Sequence, residues 1–254
     1  MNRGPMGETG RRSRRGWIVV GVVAAAFIAL VAFAQSQRNG NEVAVNRTIP
    51  AGSQPESSSP TGPTGPADDE LWVVRRDPGD PLAMGDVNAP VVLVEWLDVR
   101  CPFCALFSRQ TLPTLVDEYI DAGLVRYEVH TVEFFGDQSG AAAVAVAAAG
   151  EQGLALEYLD AVYAATPERG QPDLDRDVLI EFADQVGIPD IGRFRSDLDR
   201  DDLRGAVDEQ TAVAGSIGIN TVPFFLVGDL AIAGAQPVEV FRDVLDDAIA
   251  AAGT

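Results

Sequence analysis

Between residues 91 and 97 every position except Glu95 is apolar (Val-Val-Leu-Val-Glu-Trp-Leu), the pattern of a strand covered on both faces. Residues 104–121 carry Leu106, Phe107, Leu112, Leu115, Val116 and Tyr119 close to one-face helical spacing, with Pro113 inside the run as a kink or division. Gly123 closes this helix, and alternation over 124–132 predicts a second strand. Strand, helix, strand in that order is a parallel crossover unit. A helical block follows. Residues 139–150 are nearly all Ala and Val, and 154–165, 175–186 and 202–217 have helical spacing with acidic first turns. Residues 223–227 and 230–233 then predict a hairpin turning at Gly228-Asp229, and a last helix over 237–251 places Val240, Phe241, Val244, Leu245 and Ala248 on one face. The expected class is α/β, with a βαβ half and a ββα half separated by a helical insertion over about 139–217.

Upstream of this domain the pattern changes twice. Arg11, Arg12, Arg14 and Arg15 precede an uncharged stretch over 17–34, and eighteen helical residues span about 27 Å, close to the hydrocarbon thickness of a bilayer. The expectation is a basic cytoplasmic start at 1–16 and a single transmembrane signal anchor at 17–34, with everything beyond on the outer side. A cleaved signal peptide is the rival reading, because Ala32-Phe33-Ala34 has the small-x-small form of a cleavage site. Residues 35–70 lack apolar periodicity and are rich in Gly, Ser and Pro, as in a disordered, flexible linker. Residues 71–254 are long enough for one domain with a sizeable core.

Charge follows the same division. Seven Arg and three Glu precede residue 67, whereas twelve Arg face thirty-five acidic residues after it, and the chain has no Lys. The formal net charge is −19. So acidic a domain repels phosphate backbones, which argues against nucleic-acid binding.

The two cysteines, Cys101 and Cys104, stand as Cys101-Pro102-Phe103-Cys104 between the first strand and the helix after it. A thiol at a helix N-terminus meets unpaired backbone N–H groups and the positive end of the helix dipole, both of which favour the reactive thiolate. A disulfide closing so short a loop adds little chain-entropy stabilisation, so the pair reads as a redox couple. His130, the only histidine, would still leave the two cysteines short of a four-ligand zinc site, so core or edge packing is expected and no metal. Phe134-Phe135 is expected to pack under the cysteine loop or rim a groove beside it. The acidic run Asp197, Asp199, Asp201, Asp202 lacks the spacing of a calcium loop and is expected to be a solvated helix junction.

Gly85-Asp86-Val87-Asn88-Ala89-Pro90-Val91-Val92-Leu93-Val94-Glu95-Trp96, then Asp98-Val99-Arg100-Cys101-Pro102-Phe103-Cys104, and far downstream Gly218-Ile219-Asn220-Thr221-Val222-Pro223-Phe224-Phe225, together resemble the DsbA-like thiol–disulfide oxidoreductases of bacterial envelopes, within the thioredoxin fold. The resemblance spans about 75–251. It implies that Cys101 is an exposed nucleophile and Cys104 a buried resolving thiol, together forming a reversible disulfide. It implies that Pro223 is held in cis beside them, with the Val222 backbone pairing an extended substrate by β-augmentation. Pro102, Phe103 and Thr221 are expected at that substrate-binding surface. Glu95 matches the family's buried acid, and one acid in an apolar strand should have a raised pKa suited to proton transfer. A well-known oxidant of the family has His where this chain has Phe103. Phe cannot donate to a thiolate, so a weaker oxidant is expected.

The implied activity is oxidation of dithiols in exported proteins, without a bound cofactor. The partners would be substrates with free cysteines, a quinone-linked membrane reoxidase, and the bilayer through 17–34; the location would be the cell membrane. Two alternatives stay open: a reductase or isomerase of envelope disulfides, and a non-catalytic tethered peptide-binding module.

Overall fold

A computed structural model of the chain describes residues 72–253. The expected cytoplasmic start, anchor and linker lie outside the described residues. Among the described residues no helix is long and apolar enough to cross a membrane.

Strands β1 (Ala83–Met84), β2 (Val91–Leu97), β3 (Val125–Thr131), β4 (Phe224–Val227) and β5 (Leu230–Ala233) form one sheet in the order β1-β3-β2-β4-β5. β2 and β3 are parallel, in register from Val91 opposite Val125 to Leu97 opposite Thr131. β4 pairs antiparallel with β2, and β5 antiparallel with β4. All seven residues of β2 are buried, which is why its sequence is an apolar run rather than an alternation. The two-residue β1 has too few positions to show a period. It is set by Gly85, whose φ of 88° turns the chain where a Cβ would lie 2.7 Å from the Val125 carbonyl.

Helix α1 (Pro102–Gln110) begins two residues earlier than the apolar spacing suggests. Proline is well placed at the first helical position, because its missing N–H would have no partner there. The expected division by Pro113 occurs at Thr111: α2 (Leu112–Leu115) follows and runs into a π-helical turn over Val116–Ile120.

The insertion comprises α3 (Asp137–Gly150), α4 (Ala155–Ala165), α5 (Arg176–Val186), α6 (Ile191–Asp197) and α7 (Asp201–Ser216). α3 is buried nearly all round, through Ala142, Ala143, Val144, Ala145, Val146, Ala148 and Ala149, as an evenly apolar helix must be. Small residues let its neighbours approach closely. A Cβ on Gly140 would collide with the Arg204 guanidinium and the Glu133 carboxylate. α8 (Val238–Ala251) packs on β2 and β4.

Asp199, Asp201 and Asp202 are exposed at the junction of α6 and α7, as expected, but Asp197 is not. Asp197 is buried at the end of α6, between Arg193 at 3.3 Å and Arg200 at 3.5 Å, because burial of a carboxylate requires charged partners. His130 does pack in the core. It stacks on Trp96 with ring centroids 5.0 Å apart, and its Nδ1 lies 2.6 Å from Gln210 Oε1. At the β3 edge, buried Glu128 accepts the backbone N–H groups of Arg75 (2.8 Å) and Arg76 (2.9 Å) and Arg126 Nε (2.6 Å). These bonds hold the start of the domain to the sheet.

Candidate active site

The parallel β2–α1–β3 unit delivers the cysteine pair to the C-terminal end of the central strand. Asp98 ends the strand, its carbonyl accepts the Cys101 N–H at 3.0 Å, and Cys101 caps α1 with its Sγ accepting from Cys104 N–H at 3.4 Å. Both cysteines are free thiols. The Val222–Pro223 peptide is cis and lies against them: the Cys101 thiol donates to the Val222 carbonyl at 3.5 Å. Pro223 in turn offers its carbonyl to Gly234 N–H at 2.8 Å, which ties the loop to the β4–β5 hairpin.

Cys101 was expected to be exposed, and it is not. It is 1% exposed, because the Val222 loop and the start of α1 close over it. Its access is through a cavity of about 930 Å³ lined by Cys101, Pro102, Phe103, Phe134, Phe135 and the loop segments Gly170-Gln171 and Ile219-Asn220-Thr221-Val222. The cavity gathers Pro102, Phe103, Thr221 and Val222 beside Cys101, with Phe134-Phe135 also in its wall. Phe103 is 61% exposed and stands at the mouth. Apart from Cys101, no lining side chain is an acid or a base.

The two thiols differ sharply in environment. Cys101 has its pKa lowered, first by a hydrogen bond from the Cys104 side chain, and then, against burial, by the N–H groups of Cys104 and Phe103. Cys104 is driven well above the ordinary thiol value by burial, by its hydrogen bond to Cys101, and by the charges of Cys101 and Glu95. One sulfur ionises first and meets the cavity, while the other is sealed in the core.

Glu95 is 1% exposed on β2, and burial raises its pKa from 4.5 to about 8. Its one hydrogen bond comes from the Tyr127 hydroxyl to Oε2, and Oε1 has no partner.

Sequence reasoning passed over four further residues. Asp98, fully buried, accepts Arg100 N–H (2.8 Å) and the N–H groups of Phe134 (2.7 Å) and Phe135 (3.3 Å), so one carboxylate joins the cysteine loop to the aromatic rim. Arg100 donates to the carbonyls of Pro172 (2.9 Å) and Phe135 (3.0 Å), holding the opposite rim. Tyr163 donates to the Asp98 carbonyl at 3.1 Å. Tyr127 faces Glu95. An acid closing a strand three residues before Cys101 was a legible signal for Asp98. For the other three residues, partners 32 to 72 positions distant decide the role, and no local pattern shows that.

A thioredoxin family pattern matches residues 77–247. The chain belongs to the thioredoxin family. With its helical insertion and Cys-Pro-Phe-Cys pair it is a DsbA-like protein disulfide oxidoreductase. It is 28% identical over 153 residues to a Bacillus cereus protein described as "Probable disulfide bond formation protein D", covering 59% of this chain and 71% of that one. It is 22% identical over 170 residues to disulfide bond formation protein D of Bacillus subtilis, covering 66% and 76%. Among solved structures, BdbD from Bacillus subtilis superposes with a TM-score of 0.63 over 68% of this chain and 94% of that one, at 21% identity, a likeness of fold.

Proposed function

We propose that this chain is an extracytoplasmic dithiol oxidase that introduces disulfides into exported proteins through Cys101 and Cys104. The observation carrying this reading is the asymmetry of the pair, with an acidified thiol on the cavity wall and a buried one that resists ionisation. In the oxidised enzyme a substrate thiolate attacks Cys101 Sγ. The Cys101–Cys104 bond breaks, and Cys104 leaves as a thiolate that takes a proton from the Glu95 carboxylic acid. A second substrate thiolate attacks the substrate sulfur of the mixed disulfide and expels Cys101 as its stabilised thiolate. The substrate has lost two electrons and, to solvent, two protons; the enzyme is left with Cys101 as thiolate, Cys104 as thiol and Glu95 as carboxylate, which regains its proton from solvent.

Pro223 in this reading holds the Val222 backbone beside the reacting sulfurs, where an extended substrate segment displaces the Cys101 thiol from the Val222 carbonyl. Pro102, Phe103 and Thr221 contact that segment. Residues 17–34 tether the domain to the membrane, 35–70 give it reach, and a quinone-linked membrane reoxidase restores the disulfide. The curated relatives named for disulfide bond formation support this direction of electron flow.

One observation favours a reductase or isomerase instead. The Phe103 side chain supplies neither a donor nor a positive charge to the thiolate, so the reduced form is less stabilised than with His. The test is equilibration of the full chain with glutathione. A reduction potential above about −200 mV supports the oxidase, and one near thioredoxin's, about −270 mV, supports the reductase. Cys101→Ala should abolish oxidation of a reduced two-cysteine peptide; full activity in that variant removes Cys101 from the mechanism.

A further inference from the structure

Glu95 lacks the partner that a buried ionisable group ordinarily has. It lies on the central strand, 1% exposed, and among the described residues it forms no ion pair. β2 and β3 are parallel and Leu93 lies opposite Tyr127, so the Tyr127 side chain points to the same face as Leu93 and Glu95 and meets Glu95 diagonally. Its hydroxyl donates to Glu95 Oε2, and Glu95 Oε1 has no hydrogen-bond partner. Tyr127 is itself 2% exposed, so bulk water is not a ready substitute for this contact.

We infer that Tyr127 is a positioning residue for the thiol–disulfide reaction: its hydroxyl pins one oxygen of Glu95 and stabilises the carboxylate, leaving the other oxygen to exchange the Cys104 proton. This rests on the reading of Glu95 given under Proposed function and adds the group that sets its proton affinity. The titratable groups around Glu95 support the placement. Cys101 raises its pKa by charge, and Cys104 from α1 and Tyr163 from α4 each sense its charge in turn. On the far side Tyr127 senses Asp160 of α4. All of these are acids, so ionising Glu95 adds negative charge to a site whose other groups oppose it. The Tyr127 hydroxyl acts in the opposite direction, favouring the carboxylate through its hydrogen bond.

The step that reads this out is closure of the enzyme's own disulfide. With oxidised glutathione as oxidant, the Cys101 thiolate attacks one sulfur and releases a first glutathione. Cys104 then passes its proton to the Glu95 carboxylate and attacks Cys101 Sγ, releasing the second glutathione. Two electrons pass from the dithiol to the glutathione disulfide. In the full chain, the closure rate of the wild type should rise with pH as Glu95 ionises. Tyr127→Phe deletes only the hydroxyl. It should move the midpoint of this profile upward by about one pH unit, which slows closure at pH 7 about tenfold. Site-specific 3-fluorotyrosine at position 127 keeps the shape and is a stronger donor, so it should move the midpoint down; it carries the test if Tyr127→Phe fails to fold. A purely structural role for Tyr127 lowers rates without moving the midpoint, and an unmoved midpoint in both variants overturns the inference. Glu95→Gln separates the two readings. If it abolishes the pH dependence while the Tyr127 variants match the wild type, only the inference about Tyr127 fails. If it retains the wild-type profile, the proton-transfer role of Glu95 fails, and the inference with it.

Discussion

Glu95→Gln should make the protein more stable and less active, with the stability gain confined to neutral pH. In the unfolded chain the carboxyl titrates near 4.5, whereas burial in the fold holds it protonated up to about 8. The folded pKa is raised, so its contribution to stability is fully present below pH 4.5 and is lost as pH rises towards 8. Each pH unit in that window costs about 1.4 kcal/mol, because the unfolded state releases a proton that the fold retains. At pH 7 the wild type therefore carries a penalty of about 3 kcal/mol that a glutamine, which cannot ionise, does not. The glutamine carbonyl keeps the hydroxyl bond from Tyr127. Its amide replaces the unpartnered Oε1 and costs about 1 kcal/mol at any pH, so the difference between two pH values isolates the titration. For a domain of this size 1 kcal/mol corresponds to about 2–4 °C, so the melting-temperature difference between variant and wild type should be about 6–12 °C larger at pH 7 than at pH 4.5. Thermal unfolding of the reduced full chain, followed by circular dichroism at both pH values, measures it. An equal difference at the two pH values refutes the reasoning, since Glu95 would then not be held protonated by the fold.

The alkylation of the reduced protein by iodoacetamide should show one fast thiol, with a midpoint below that of free cysteine and abolished by Cys101→Ala, while Cys104 stays unreactive until the protein unfolds; two thiols of equal reactivity would contradict the asymmetry. Glu128→Gln leaves the buried Arg126 guanidinium without its counter-charge and should cost about 3–5 kcal/mol in urea unfolding, whereas a cost below about 1 kcal/mol would mean that the edge network is solvated. Phe225→Ala empties the space between Phe107, with its ring centroid 4.5 Å away, and Phe241 at 4.9 Å. It should destabilise the domain by about 3–5 kcal/mol in the same assay, and it loosens the seat of the cysteine-bearing helix.

Much of this architecture was legible before any coordinates, for identifiable reasons. β2 and α1 declare themselves because one is wholly apolar and the other follows a proline that suits a first helical turn, and the cysteines stand at their junction. Pro223 and Glu95 were found through family resemblance, since a lone proline and a lone acid carry little local signal. β1 and α6 were missed because a two-residue strand and a seven-residue helix are too short to show a period. Asp197 was misjudged because its neutralising arginines come from both sides of a helix end that sequence alone did not reveal.

Chain order and residue chemistry thus determined the halves of the fold and the cysteine pair at the strand–helix junction, because those depend on neighbours within a few positions. Tertiary structure decided everything that depends on distant pairings. The β2–β3 register sets Tyr127 against Glu95, and the Val222 loop closes over Cys101 and turns an expected exposed thiol into a cavity wall. Asp98 and Arg100 tie separate loops into one rim. Burial and hydrogen bonding set proton affinities, and both are properties of the folded surroundings rather than of any residue read alone.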